Sequence, residues 1–193
     1  MPEGSRSRRG APRSAASSKS VVVPARIAFA VRRLAARPSD RILEIGCGTG
    51  VAANVIAASL TTGQLTAIDR SAHAIASARA RLAPWIAAGT VVLGRTALAD
   101  ADFEPDAFDR ALAVNVNVFW LEPRAELAVL AAAIRRNGTL CLVYEPPSPA
   151  AVERITTHGE AALREHGFDR VRLARESSGE DALVSISARN ARR

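Results

Sequence analysis

Three glycines at alternate positions, Gly46, Gly48 and Gly50, follow directly on the short apolar run 42–45, and residues 51–60 then read as a helix. A run of that length is right for a buried parallel strand, and few folds place so glycine-rich a turn between such a strand and a helix. Glycine lets the chain turn tightly there and lets a ligand approach the backbone where a Cβ would collide. The helix start adds free N–H groups and a positive dipole end. A second apolar run, Leu65-Thr-Ala-Ile, closes on Asp69. That is about the distance at which nucleotide-binding sheets set an acid against ribose hydroxyls. Together these features predict a crevice for an adenosine-containing ligand.

Which ligand depends on the spacing. A dinucleotide fingerprint, G-x-G-x-x-G, needs a third glycine three residues after the second, where helix and strand pack closely. Here Val51-Ala-Ala follows Gly50, and the only lysine, Lys19, lies far from any phosphate-cradling loop. The pattern favours an adenosine without a pyrophosphate; a nicotinamide-linked reductase is the alternative.

Composition narrows the partners. The net charge of the 193-residue chain is +7, but residues 1–20 carry a net +4 and residues 189–193 a net +3, so the body between them is neutral. A neutral body removes the compositional argument for nucleic-acid binding. The 48% apolar share suits one globular domain, and no apolar stretch reaches the length of a membrane span. Cys47 and Cys141 fall in the glycine turn and in a predicted strand, so neither a disulfide nor a metal centre is expected, and the cytoplasm is the default location. Residues 1–20 lack hydrophobic periodicity and are expected to be a disordered basic tail, with the domain at 21–189 and a short basic tail at 190–193.

Along the chain, residues 24–37 predict a helix with Ile27, Val31 and Leu34 on one face, packed beside or over the crevice, and Pro38 as its end. Ser71 is a natural N-cap for a helix to about Leu82, interrupted by Pro84. Strands are expected at 90–93, 108–114 and 139–144, with a helix over 124–136 stopped by Asn137-Gly138. A last helix runs 149–165, and strands 168–175 and 182–188 form a hairpin. The order predicts an α/β fold, a doubly wound, mostly parallel seven-stranded sheet ending in an antiparallel hairpin.

The segments Glu44-Ile-Gly46-Cys-Gly48-Thr-Gly50, Ile68-Asp69-Arg70-Ser71, Ala76-Ser-Ala-Arg79 and Phe108-Asp109 through Asn115-Val-Asn117-Val-Phe-Trp120 resemble, in this order, the class I S-adenosylmethionine-dependent methyltransferases, particularly the small single-domain members. The resemblance covers roughly residues 40–188 and implies a Rossmann-like methyltransferase fold with S-adenosyl-L-methionine as cofactor. It implies that Glu44, Gly46, Cys47, Gly48, Thr49 and Gly50 surround the methionine part, that Asp69 takes both ribose hydroxyls, and that Asn115 sits beside the reactive end. Arg70 flanks the adenine or stays in solvent. Many relatives have an acid just after the third strand; here Leu93-Gly94-Arg95-Thr96 stands there, which leaves the adenine to a backbone contact, to Thr96, or to Asp100 or Asp102.

The implied reaction is methyl transfer in one displacement. Motifs of amino-methylating nucleic-acid enzymes, cytosine-carbon enzymes and lysine-dependent ribose enzymes are missing, which leaves a small-molecule acceptor by elimination. Asn117, Trp120 and Glu145 are the candidate acceptor residues. No general base declares itself, with Glu145 and His158 the available guesses. The chain has little room for a separate substrate domain, so the N-terminal helix, the loop 117–123, the segment after Tyr144 or a second copy in a homodimer must complete the pocket.

Overall fold

The computed structural model describes residues 23–178 and 181–192; the basic tail expected at 1–20 lies outside them. Seven strands form one sheet in the order β3-β2-β1-β4-β5-β7-β6. They are β1 (Arg41–Ile45), β2 (Gln64–Asp69), β3 (Val91–Arg95), β4 (Phe108–Val114), β5 (Ile134–Tyr144), β6 (Phe168–Ser178) and β7 (Asp181–Asn190). Strands β1 to β5 pair in parallel, and β7 inserts antiparallel between β5 and β6. The predicted doubly wound sheet with its terminal hairpin is the observed one.

Among the described residues five α-helices cover the two faces: α1 (Ala25–Leu34), α2 (Val51–Ala57), α3 (Ala72–Ala87), α4 (Arg124–Ala133) and α5 (Pro149–Glu165). Side-chain alternation along the strands sends residues to two separate cores. Ile42, Leu65 and Leu112 pack with Phe29, Leu34, Ile56 and Leu82 under α1, α2 and α3. Leu43, Ile45 and Ala113 pack with Leu127, Leu130 and Ile155 under α4 and α5. Among the described residues no helix is long and apolar enough to cross a membrane.

Three expectations are corrected. The first helix stops at Leu34, before Pro38, because Ala35 turns left-handed and the Arg110 guanidinium takes the Leu34 carbonyl at 3.0 Å. It lies on the sheet face against α2, β4 and β5, and none of its residues lines the cleft described below. The third helix runs through Pro84. That proline lies on the exposed side of the helix, and the last turn is anchored by Trp85, whose Nε1 donates to Asn54 Oδ1 at 3.0 Å. The fourth helix ends at Ala133, and β5 begins at once. Asn137, at φ 61°, belongs to an irregularity in that strand, where the pairing with β4 shifts between Phe108 and Arg110. A left-handed residue followed by glycine serves a helix stop and a strand irregularity equally well, so the sequence pattern alone does not separate them.

At the far end, β7 runs through Asn190, one residue past the expected domain limit. Its buried side-chain amide donates to the carbonyls of Ala131 and Ile134 and ties the strand to the end of α4.

Candidate functional site

The strand order reverses between β1 and β4, and there the carboxyl ends of the strands leave a crevice. A cleft of about 480 Å³ occupies it, lined by Gly46 after β1, Asp69 and Arg70 at the end of β2, Thr96, Ala97 and Leu98 after β3, and the segment 114–118 at the end of β4.

The glycine turn is built by backbone bonds. Cys47 N–H donates to Ile68 O at 3.0 Å, and Gly48 N–H donates to Asp69 Oδ2 at 2.9 Å. Arg81 Nε donates to the Thr49 carbonyl at 2.8 Å, and Gly50 caps α2. Asp69 Oδ1 accepts from Ser71 N–H at 2.8 Å. Each Asp69 oxygen thus holds one main-chain donor. A carboxylate has about four acceptor sites, so about two remain for hydroxyls of a ligand.

Gly46 and Gly48 are both left-handed, at φ 67° and 54°. A Cβ on Gly46 would meet Val116 Cγ2 at 2.8 Å, whereas one on Gly48 would meet nothing within 4 Å. Gly46→Ala should therefore destabilise the fold more than Gly48→Ala, by about 1–2 kcal/mol from clash added to backbone strain common to both. Urea unfolding of the two variants reads the difference; equal losses would remove Val116 from the argument.

Glu44 lies under this turn, buried, with Oε2 bonded to nothing among the described residues. Burial, with the Asp69 charge adding to it, pushes its carboxyl up to about 8. Such an orphaned acid suits a ligand that brings an ammonium or another donor. The Cys47 thiol is pushed up to about 12 by burial and by the charges of Glu44 and Asp69, so it packs and does not attack.

The opposite wall depends on Tyr144. Its buried hydroxyl donates to the Val116 carbonyl at 3.0 Å, and burial raises its pKa, which keeps the proton in that bond. Asn115 holds φ 56°, and its side-chain Oδ1 accepts from Glu145 N–H at 2.9 Å. The end of β4 is thereby locked to the end of β5.

Of the residues read from the sequence, Gly46, Asp69, Arg70, Thr96, Asn115 and Asn117 line the cleft; Cys47, Gly48, Thr49 and Gly50 form the turn that shapes it, and Glu44 is buried in β1 beneath that turn. Arg95 is exposed at the end of β3 and outside the lining, as are Asp100 and Asp102. Trp120 also lies outside it, half-buried, with Nε1 unpartnered among the described residues and the Arg154 guanidinium 5.0 Å from its ring centroid. Glu145 is outside the lining too, and its Oε2 accepts from Arg26 Nη1 at 3.1 Å. His158 lines a separate surface depression with Glu122 and Glu165. Sequence reasoning missed Glu126, which reaches the cleft from the first turn of α4, and the apolar wall residues Ala97, Leu98, Val116 and Val118. An acid in a first helical turn reads as a helix-dipole partner, which hid Glu126.

An open sheet with its crevice at the strand-order reversal, a bare glycine turn on one strand and a carboxylate on the next define a nucleoside-binding α/β domain. More narrowly, the chain belongs to the methyltransferase-domain family, whose profile matches residues 43–140, within the class I S-adenosylmethionine-dependent superfamily. A protein-L-isoaspartate O-methyltransferase of Methylorubrum extorquens (strain PA1) is 33% identical over 142 residues, 74% of this chain and 58% of that protein. The O-methyltransferase cnsE of Penicillium expansum is 31% identical over 120 residues, 61% of this chain and 43% of the relative. Among solved structures, geranyl diphosphate C-methyltransferase of Streptomyces coelicolor A3(2), in complex with Mg2+, geranyl diphosphate and S-adenosyl-L-homocysteine, superposes with a TM-score of 0.69. The identity there is 12%, over 86% of this chain and 78% of that one, so the likeness is one of fold. The chain spans between 32% and 62% of the length of the curated relatives it matches.

Proposed function

We propose that this chain transfers a methyl group from S-adenosyl-L-methionine to a small-molecule acceptor by in-line displacement. The observation that carries the reading is a cleft lined by Gly46 and by the Asp69 carboxylate with acceptor sites to spare, beside a glycine turn with open space over Gly48 and a buried acid beneath it whose Oε2 has no partner among the described residues. Those groups match the ammonium, the main-chain approach and the ribose that this cofactor presents.

In this reading Asp69 holds the ribose, and Glu44 answers the amino end of the methionine part. Ala97, Leu98, Val116 and Val118 give the purine dry walls, with Thr96 in the place of the missing acid. The bound cofactor supplies an electrophilic methyl on a sulfonium that leaves as a neutral thioether. The protein's share is then mainly positioning and the exclusion of water. An acceptor that must lose a proton needs a base, and Glu126 is the cleft carboxylate not otherwise employed.

A second hollow of about 290 Å³, formed by the segment 146–149 with Val152, Arg175 and Ala182, opens beside Glu145 at the end of β5. Its lining is largely apolar with one guanidinium. The bond from Glu145 to Asn115 joins the rims of the two hollows. This arrangement suits a small apolar acceptor with an anionic group, seated across Asn115 from the cofactor.

Calorimetry tests the first half of the proposal. S-adenosyl-L-methionine and S-adenosyl-L-homocysteine should bind in the range of ~1–100 μM (about −8 to −5.5 kcal/mol), and NADPH should not bind. Asp69→Ala should weaken both by more than ~1 kcal/mol, because charge-assisted bonds to the ligand and to the turn are lost together. Unchanged affinity in that variant would remove Asp69 from the site, and nicotinamide binding in place of the sulfonium would favour a reductase. Tight cofactor binding without turnover on any acceptor would leave a binding module.

A further inference from the structure

The opposite end of the sheet carries a further cavity, of about 250 Å³, that methyl transfer does not use. The strand register builds it. Arg110 on β4 pairs with Thr139 on β5, and Thr139 pairs with Arg189 on β7, so these three side chains stand in a row on one face. Arg172 on β6 sits one pair further along, opposite Ser187. The last turn of α1 lies over the same face and contributes Arg33, and the left-handed Arg170 in the β6 irregularity completes the lining.

Arg110 is neutralised by Asp40 at 2.5 Å. The other four guanidiniums have no carboxylate within ion-pair distance among the described residues, and no acidic side chain lines the cavity. Gathering like charges without a counter-charge costs stability, and it lowers the pKa of Arg189 after burial has done so. A second observation is independent of charge. Thr139 is only 8% exposed, it lines the cavity, and its hydroxyl Oγ1 has no partner among the described residues. A buried hydroxyl without a partner among guanidiniums is suited to donate to an oxyanion.

We propose that this cavity is a binding site for a small ligand bearing a chain of phosphoryl groups, separate from the methyl-transfer cleft. Four uncompensated guanidiniums match a di- or triphosphate better than a single phosphate, since arginine binds phosphate oxygens through paired N–H donors. The concavity of the cavity, walled by α1 on one side and the sheet on the other, favours a compact ligand over a duplex laid on a surface.

The test is calorimetry on the full chain with inorganic tripolyphosphate, ATP and inorganic phosphate, in the presence of saturating S-adenosyl-L-homocysteine. Tripolyphosphate should bind at least ~10-fold more tightly than inorganic phosphate, and Arg172→Ala/Arg189→Ala should weaken it at least ~10-fold while leaving S-adenosyl-L-homocysteine affinity unchanged. Thr139→Val, which keeps the shape, should weaken it ~3-fold or more through the lost hydroxyl. ATP binding tighter than tripolyphosphate identifies a nucleotide as the source of the phosphates, and equal affinities identify the phosphate chain alone. Arg6→Ala/Arg8→Ala removes the same charge from the N-terminal tail. If that variant loses binding and the cavity variants do not, the proposal is wrong. Duplex DNA binding through Arg172 and Arg189 with no response to tripolyphosphate would overturn it in favour of a nucleic-acid face.

Discussion

Asp40→Ala should lower the unfolding free energy by about 3–5 kcal/mol. Asp40 and Arg110 form a buried ion pair, with side-chain exposures of 7% and 12%. Asp40 Oδ2 also accepts from Arg37 N–H at 2.8 Å, and Arg110 Nη1 donates to the Leu34 carbonyl at 3.0 Å. One carboxylate therefore ties the loop after α1 to the middle of the sheet. Removing it leaves a desolvated guanidinium beside other arginines and an N–H without a partner. The pair as a whole is worth much less than either partner's loss suggests, because both charges had to leave water. Asp40→Ala/Arg110→Met should consequently be more stable than Asp40→Ala alone. Urea unfolding of the single and double variants decides it, and a double variant no better than the single one would place the loss in the Arg37 turn.

The second large effect concerns pH. In the native protein the Glu44 carboxyl is pushed up to about 8 from an ordinary 4.5. Between those values the native state holds a proton that the unfolded chain has released. Stability should fall as pH rises through that window and level off above it, by on the order of 3–5 kcal/mol in total. Glu44→Gln should abolish this slope and make the ligand-free protein more stable than the parent at alkaline pH. The same variant should bind S-adenosyl-L-methionine more weakly, since the neutral amide gives an ammonium no counter-charge. Cofactor binding to the parent near pH 7 should release up to about one proton, which calorimetry in buffers of different ionisation enthalpy measures. No release, together with an unchanged pH slope in Glu44→Gln, would mean that the buried carboxyl is already ionised without ligand.

Much of this was legible in the sequence because the strand tips are short and chemically loud. Gly46, Gly48 and Asp69 announce themselves by type and spacing, and the bond from Gly48 N–H to Asp69 shows why the two travel together. The helix limits at Ala133 and Ala87 were not legible. Asn137 serves either a helix stop or a strand irregularity, and Pro84 is tolerated only because its side of α3 is exposed. Glu126 and the wall from Val116 to Val118 come to the cleft from distant positions, through the Tyr144 hydroxyl and the packing of α4. The row Arg110, Thr139 and Arg189 exists only once three strands are in register, so a charge count that left the body at zero and gave Arg189 to the tail concealed it.

The insertion of β7 between β5 and β6 leaves β6 as the outermost strand on that flank, with Arg170, Arg172 and Leu173 exposed on it. A second molecule extending the sheet there would bring its own row of positive side chains against an identical row, and the kink at Arg170 would break the alignment of the two backbones. Self-association of this chain, where it occurs, is thus steered away from continuous strand addition on that border and toward contacts made by helices.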